Sequence, residues 1–447
     1  MRRALRWVGW LVLVLLAVAI GLFTVSKLMG PSDEQRAALA LLEADDPQPE
    51  GRNAFALLWL LEYDVPEAQW DAIIQKDAAR LAEELARIES GGGISVSQQS
   101  VAADRGPHLA PAGNEPAYCQ MRNSDCLGAI RANRDAYAQR LQDERKLLAR
   151  VRSLSGYDHY RMAFQLSPHM PFPRFQSLAI SNTASALDFV DGRTDQALEA
   201  VCDDVAAWRR VGANADNLLV SMFGMALING SSGLFAGMLA ELPADYPLPA
   251  SCAVAFNPDA MPADLCQAMR GEYRFAFSAL ESREALQDSP LGQMGRWLYD
   301  PEATRAMLAP TYAHACTQSM RRALIDDTPI VPVPIPGSPW RLECVSNFIG
   351  CALARIAAPA YESYAARAQD EQAVLRTVDM VLHLREQAAA SGETVAQIVR
   401  EHGLRPAADT WRVPVFEQAS DEIGIPLHGY SDHSEWRIPL PGSKQHD

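Results

Sequence analysis

His428, Asp432, His433 and Glu435 stand within eight residues near the C-terminus and form the densest group of chemically capable side chains in the sequence. An imidazole held by a carboxylate is a general base, and imidazoles with carboxylates are metal ligands. The spacing works against both uses. Two histidines five residues apart on a β meander face opposite sides unless a turn over 429–431 brings them back, and no third ligand follows. These four are the chain's catalytic candidates, with a plain surface turn as the competing reading.

Ser231 and Ser232 lie in Asn229-Gly230-Ser231-Ser232-Gly233. A nucleophile elbow needs Gly-x-Ser-x-Gly at a strand-to-helix turn. Here the spacing differs and both flanks read as helix, so the segment is expected to be a turn between helices. Tyr157-Asp158-His159-Tyr160 and Pro168-His169-Met170-Pro171 read as loops with exposed histidines. Cys202-Asp203-Asp204 places its two carboxylates on different helical azimuths, with Arg209 and Arg210 as their expected partners. The sequence has no His-Glu-x-x-His, no phosphate-binding glycine loop and no dinucleotide fingerprint. No cofactor and no metal is therefore expected, and the balance leans away from an enzyme.

Eight cysteines remain: Cys119, Cys126, Cys202, Cys252, Cys266, Cys316, Cys344 and Cys351. In an oxidising compartment an even number invites pairing. The sequence does not choose among the connectivities. Short separations favour Cys119–Cys126, Cys252–Cys266 and Cys344–Cys351, which leaves Cys202–Cys316 as the long-range bridge. On one continuous helix over 342–356, however, Cys344 and Cys351 would lie two turns apart, roughly 10 Å, too far to bridge. Buried free thiols are the alternative. Without a Cys-x-x-Cys or a compact Cys/His cluster, zinc is disfavoured.

The elements that must position these residues are mainly α. Apolar stripes predict a short buried helix over 52–63 and a longer one over 67–89, then a long Gly/Ser/Gln/Pro-rich loop over 90–118. A helix capped at Ser124 or Asp125 should reach about Leu154. Between 175 and 242 four helices are expected, joined by turns at 191–192, 212–216 and 229–232, in the manner of stacked helical hairpins and solenoid-like in construction. No fixed repeat is present. Helices resume over 263–285 and 301–325. Five prolines then make 328–340 an extended segment, either packed on the body or a bare linker. A long helix over 359–390 and a short one over 394–402 follow. Alternating apolar residues over 409–439 predict a small C-terminal β meander.

Trp7 to Ser26 is a run of twenty residues without a charge, preceded by Arg2, Arg3 and Arg6. At about 1.5 Å per residue it covers roughly the 30 Å hydrocarbon core. The arginines keep residues 1–6 in the cytoplasm, and the chain after Lys27 is exported. This reads as a single-pass signal anchor over 7–26 in a bacterial-type inner membrane, with the bulk of the chain periplasmic. The rival is a signal peptide cleaved after Ala17-Val18-Ala19, although the apolar run continues past it. The domain plan is then an α-helical body over 31–340, the helix pair over 341–403 and a β-rich tail over 404–447. The chain carries 40 Lys+Arg and 55 Asp+Glu; four of the cations and none of the anions lie in residues 1–30, which leaves the rest at −19. Such a surface repels nucleic acid and anionic lipid headgroups; it suits a basic protein partner, and solubility alone explains it equally well.

The expected function is a membrane-anchored protein that acts through protein–protein contact, as adaptor, assembly factor or inhibitor. An envelope hydrolase using the 428–435 group, or a site in the 90–118 loop, is the alternative. A long helix followed by Asp409-x-Trp411-x-x-Pro414 and a meander resembles the exported half of the major pseudopilins over about the last seventy residues. That resemblance implies a secretion or pilus-like apparatus component. The N-terminus departs from it, having neither the prepilin cleavage motif nor its glutamate.

Overall fold

The uncharged run folds as one helix, α1 (Arg2–Leu28), long and apolar enough to cross a membrane. Its side chains stand clear of the rest of the protein: Trp7 is 77% exposed and Leu15 60%. The isolation ends at Ser26, which is buried against the body. The computed structural model describes residues 2–44, 49–90, 92, 95–110, 116–119, 125–281, 295, 297–334, 341–404, 412–429 and 435–444. Among the expectations above, Ser124, Asp409, Trp411, Asp432, His433 and the second half of the proline-rich segment lie outside them.

Beyond α1 the fold is mostly helical, built around two hydrophobic clusters. The first buries faces of α3 (Phe55–Trp59), α4 (Trp70–Glu89), α5 (Cys126–Ala132), α6 (Arg134–Asp143), α7 (Arg145–Arg152), α8 (Ile180–Val190), α9 (Thr194–Ala213), α10 (Leu218–Glu241) and α11 (Ala250–Phe256). The second lies nearer α1. It takes Ala38 and Leu42 of α2 (Asp33–Glu43), with faces of α12 (Cys266–Glu281), α13 (Pro301–Ala313), α14 (Gln318–Asp326) and α15 (Glu343–Ser346). The long helix α16 (Phe348–Ser391) serves both: Cys351, Ala354, Ala365 and Ala368 enter the second cluster, and Val374, Leu375, Val378 and Val381 the first. Glycine at 392 and a capping box at Thr394 end α16 and start α17 (Val395–His402), as the sequence predicts.

The tail is the expected meander: β1 (Val415–Glu417), β2 (Glu422–Pro426) and β3 (Glu435–Pro439), antiparallel in the order β1-β2-β3. Ile423, Ile425, Trp436 and Ile438 fill one face and join the first cluster. After β3 the chain runs to the end of α10. There Gly442 and Lys444 donate their N–H groups to the carbonyls of Leu239 and Ala240 (3.2 and 3.0 Å). The tail thus satisfies carbonyls that the helix end leaves open.

Four expectations about elements need correction. The turn at 229–232 does not form, and α10 runs through it. Ser231 and Ser232 are buried, and Ser231 Oγ donates to Asn182 Oδ1 of α8 (2.9 Å). Packing on both sides of the helix outweighs the preference of these residues for turns. The helix expected to reach Leu154 is instead three, α5 to α7. At the second break the Glu144 side chain turns inward, accepting from Tyr118 Oη (2.5 Å) and Arg140 Nε (3.1 Å). The long helix begins at Phe348, eleven residues before Pro359. His159 is buried rather than exposed: its segment bridges Asn53, and Tyr160 beside it is wholly enclosed.

The eight cysteines form four bridges: Cys119–Cys126, Cys202–Cys252, Cys266–Cys316 and Cys344–Cys351. The expected Cys252–Cys266 and Cys202–Cys316 pairs are replaced by two bridges that each join residues fifty apart. α11 packs on α9, which brings Cys252 to Cys202, while Cys266 opens α12 on the other cluster. The geometric objection to Cys344–Cys351 falls because the helix breaks at Asn347 (φ −127°, ψ 47°), which brings the Cα atoms to 5.8 Å. The break is held from α13. Asn347 Oδ1 accepts from the Asp300 N–H (2.9 Å) and its amide donates to Thr304 Oγ1 (3.0 Å). Only glycine fits at position 350, where a Cβ would lie 2.0 Å from Thr304 Oγ1.

Candidate functional site

His428 follows β2, beside a buried group of charged side chains. Asp370 of α16 is wholly buried and accepts from the backbone N–H groups of His428 and Gly429 (2.8 Å each). Arg412, just before β1, pairs through Nη1 with Asp370 (2.7 Å) and through Nε with Asp327 (3.3 Å). The side chains of all three are at most 2% exposed. Asp327 takes a left-handed conformation (φ 48°) just past α14, and burial pushes its carboxyl up while Arg412 opposes that. Gln369 adds hydrogen bonds from Nε2 to the carbonyls of Ala323 and Thr328 (3.0 and 2.7 Å). Gly429 sits so close to α16 that a Cβ there would approach the Arg367 backbone nitrogen to 2.6 Å.

This arrangement fixes the path of the chain at 428–429. The carboxylate that reaches His428 binds its backbone N–H, whereas a general base needs the ring oriented. The residue is exposed; desolvation and the Arg412 charge hold the imidazole below its ordinary value. Glu435, at the start of β3, bonds Arg437 Nε on the same strand (2.8 Å). Asp432 and His433 lie outside the described residues. Among the described residues no three His, Cys, Asp or Glu side chains are grouped to hold a metal ion. Sequence reasoning found His428 but missed Asp327, Asp370 and Arg412. Their burial is not written in the local sequence: Asp327 adjoins the exposed Asp326, and Arg412 stands in a short stretch that reads as edge strand.

The other flagged residues divide between clamps and surface. In the 90–118 loop, Ser100 Oγ and the Val101 N–H donate to the buried Asp77 carboxylate (2.5 and 2.7 Å), which also accepts from Trp59 Nε1 (2.8 Å). Glu84, which accepts from the Ser97 N–H (2.8 Å), and Arg80, which donates to the Gln99 carbonyl, pin the loop to the same helix, α4. Arg209 does not pair with Asp203 or Asp204. Its guanidinium donates to the carbonyls of Ala255 (2.6 Å) and Met261 (2.8 Å). Arg210 donates to the Tyr157 carbonyl (2.9 Å).

Glu371 differs from these buried acids. It is 6% exposed, and burial and the charge of Arg209, not a hydrogen bond, govern its carboxyl. Its carboxyl borders a cavity of about 20 Å³ with Arg209, Ser221, Met225 and Asp264, room for one water. Burial pushes it up to about 7, against the pull of Arg209. The unfolded chain ionises this group near 4.5. Between those values the native protein keeps a proton that the unfolded chain has lost. The stability it contributes is full below about pH 4.5 and lost as pH rises through about 7, an effect on the order of 3 kcal/mol. Glu371→Gln removes that ionisation. Urea midpoints should show the variant more stable than the parent at pH 8 and nearly equal at pH 4.5. A variant no more stable at pH 8 would show that the carboxylate is accommodated there.

Comparison with known proteins finds no matching family model, no matching curated protein and no matching solved structure.

Proposed function

We propose that this chain is a single-pass membrane protein whose body lies on the envelope side and acts by binding another protein. One observation carries the reading. The helix that fits a bilayer has no protein around it until Ser26, and there it is built into the body. Ser26 Oγ and Ser346 Oγ share a hydrogen bond (2.8 Å), the Ser346 N–H donates to Ser26 Oγ (3.0 Å), and Lys27 Nζ donates to Asp300 Oδ2 (2.7 Å). Arg270 bonds the Leu42 carbonyl (3.4 Å) and Arg305 bonds Glu43 (2.7 Å), so α2 ties the anchor to the second cluster. Four disulfides accord with an oxidising compartment. The chain after residue 30 carries a net −19, and a basic protein is the partner that charge suits.

The test has two arms. A reporter enzyme that matures only in oxidising surroundings, fused after Asp447, should be active, and intact mass should show residues 2–26 retained. Reciprocal capture from detergent-solubilised membranes should then return one protein in stoichiometric amount, released by raised salt. Replacing His428 with alanine should leave capture unchanged. A silent reporter, or no partner above mock capture, would refute the proposal. Loss of function in the His428 variant with binding intact would favour the hydrolase.

A further inference from the structure

The apolar run from Trp7 to Ser26 is about as long as the hydrocarbon core is thick, so Ser26 marks the depth at which α1 leaves lipid. Whatever touches Ser26 lies at that depth. What touches it is α15, through Ser346. Apolar side chains without cover gather at this contact. Val345, next to Ser346, is 38% exposed, and Phe348, two residues on, is 54% exposed. The Ile349 N–H donates to the Leu298 carbonyl (3.0 Å), which brings Trp297 to the same place with 72% of its surface exposed. Leu28 and Met29, where α1 ends, are 80% and 47% exposed.

The first turns of α16 extend this surface. Phe348, Ala352 and Ile356 follow at four-residue spacing and are all exposed, Ile356 at 76%, while Gly350, Cys351 and Ala354 face the second cluster. Arg355 lies on the exposed side and forms no ion pair among the described residues. Nearby acids are already engaged, Asp300 by Lys27 and Glu343 by Arg341. A tryptophan, large aliphatic side chains and an exposed arginine, all level with the end of a membrane helix, match the composition of a bilayer interface. The same residues would be a poor surface in open water, where contiguous apolar patches of this kind are rare.

We propose that Trp297, Val345, Phe348 and Ile356, with Arg355, form a second membrane contact, seated in the headgroup–acyl boundary of the bilayer that α1 crosses. The occupant is phospholipid, on the strength of continuity with α1. The contact fixes the tilt of the body, so that the first cluster points away from the membrane. This inference rests on the anchored reading above.

The experiment uses full-length protein in vesicles of phosphatidylethanolamine and phosphatidylglycerol. p-Benzoylphenylalanine replaces Phe348, Ile356 or, as a control on the first cluster, the exposed Val254 of α11. After irradiation, mass spectrometry should find phospholipid adducts at 348 and 356 in at least tenfold excess over those at 254. Equal yields at the three positions would overturn the contact, as would adducts joining 348 to a second copy of the chain. Intact mass of each sample separates this from the anchored reading. Lipid at 348 in chains that have lost α1 would refute the anchor and keep the patch. No lipid at 348 in chains that retain α1 would refute the patch alone.

Discussion

Arg412→Met should cost about 3–5 kcal/mol and release the C-terminal sheet before the helices unfold. Arg412 is the cation held against Asp327 and Asp370 inside a nearly closed interior. Without it Asp370 loses its paired cation and Asp327 keeps only longer-range attraction, chiefly that of Arg376, so most of their desolvation cost is no longer offset. Asp370 still accepts two N–H groups from 428–429. Asp327 has less help, and burial already pushes its carboxyl up in the intact protein. In the variant Asp327 should hold a proton that the unfolded chain releases, so the penalty should be smaller at pH 5 than at pH 8. Adding Asp327→Asn and Asp370→Asn should recover much of the loss, because the charges then leave together. Hydrogen exchange would locate the damage. Amides of β2 and β3 and the Gly442 and Lys444 contacts with α10 should lose protection first. A penalty equal at pH 5 and pH 8, or unrelieved by the two asparagines, would mean that Arg412 matters through packing rather than charge.

Much of this fold is legible in the sequence, and the failures share a cause. α1, the turn at 191–192, the caps at Asn217 and Thr394 and the three strands follow from local patterns, each expressed within a few residues. The errors lie where distant segments decide. Asn229-Gly230-Ser231-Ser232 is a turn signature only in water; against Asn182 it is a place where two helices approach closely. Asn347 breaks a helix because Thr304 and Asp300 claim its side chain. The candidate site shows the same limit. The sequence marks His428 as reactive in kind, but the carboxylate that governs its position lies 58 residues earlier and binds the backbone. The exposed face at 345–356 was equally hidden, since its apolar spacing looks like a core stripe until the structure leaves it uncovered.

Removing the Cys202–Cys252 bridge should be the most damaging disulfide deletion. Cross-linking residues fifty apart withdraws chain entropy from the unfolded state worth ~4 kcal/mol. The local bridges Cys119–Cys126 and Cys344–Cys351, seven apart, should be worth about 1.7 kcal/mol less on the same account. Cys266–Cys316 closes an equal length, so entropy alone does not separate the two long bridges. Burial does. Cys202 and Cys252 are at most 1% exposed inside the first cluster, while Cys266 and Cys316 are half-buried. Cys202→Ala with Cys252→Ala therefore leaves a void among packed side chains, a second loss that the half-buried pair escapes. Urea denaturation of the two paired-alanine variants should rank them in that order, and mild reductant should open Cys266–Cys316 first. Peptide mapping without reduction must also recover 202 joined to 252 and 266 joined to 316. Peptides joining 252 to 266 would place the two clusters on the wrong staples, and with them the path by which α12 leaves the first cluster for the one that holds the anchor.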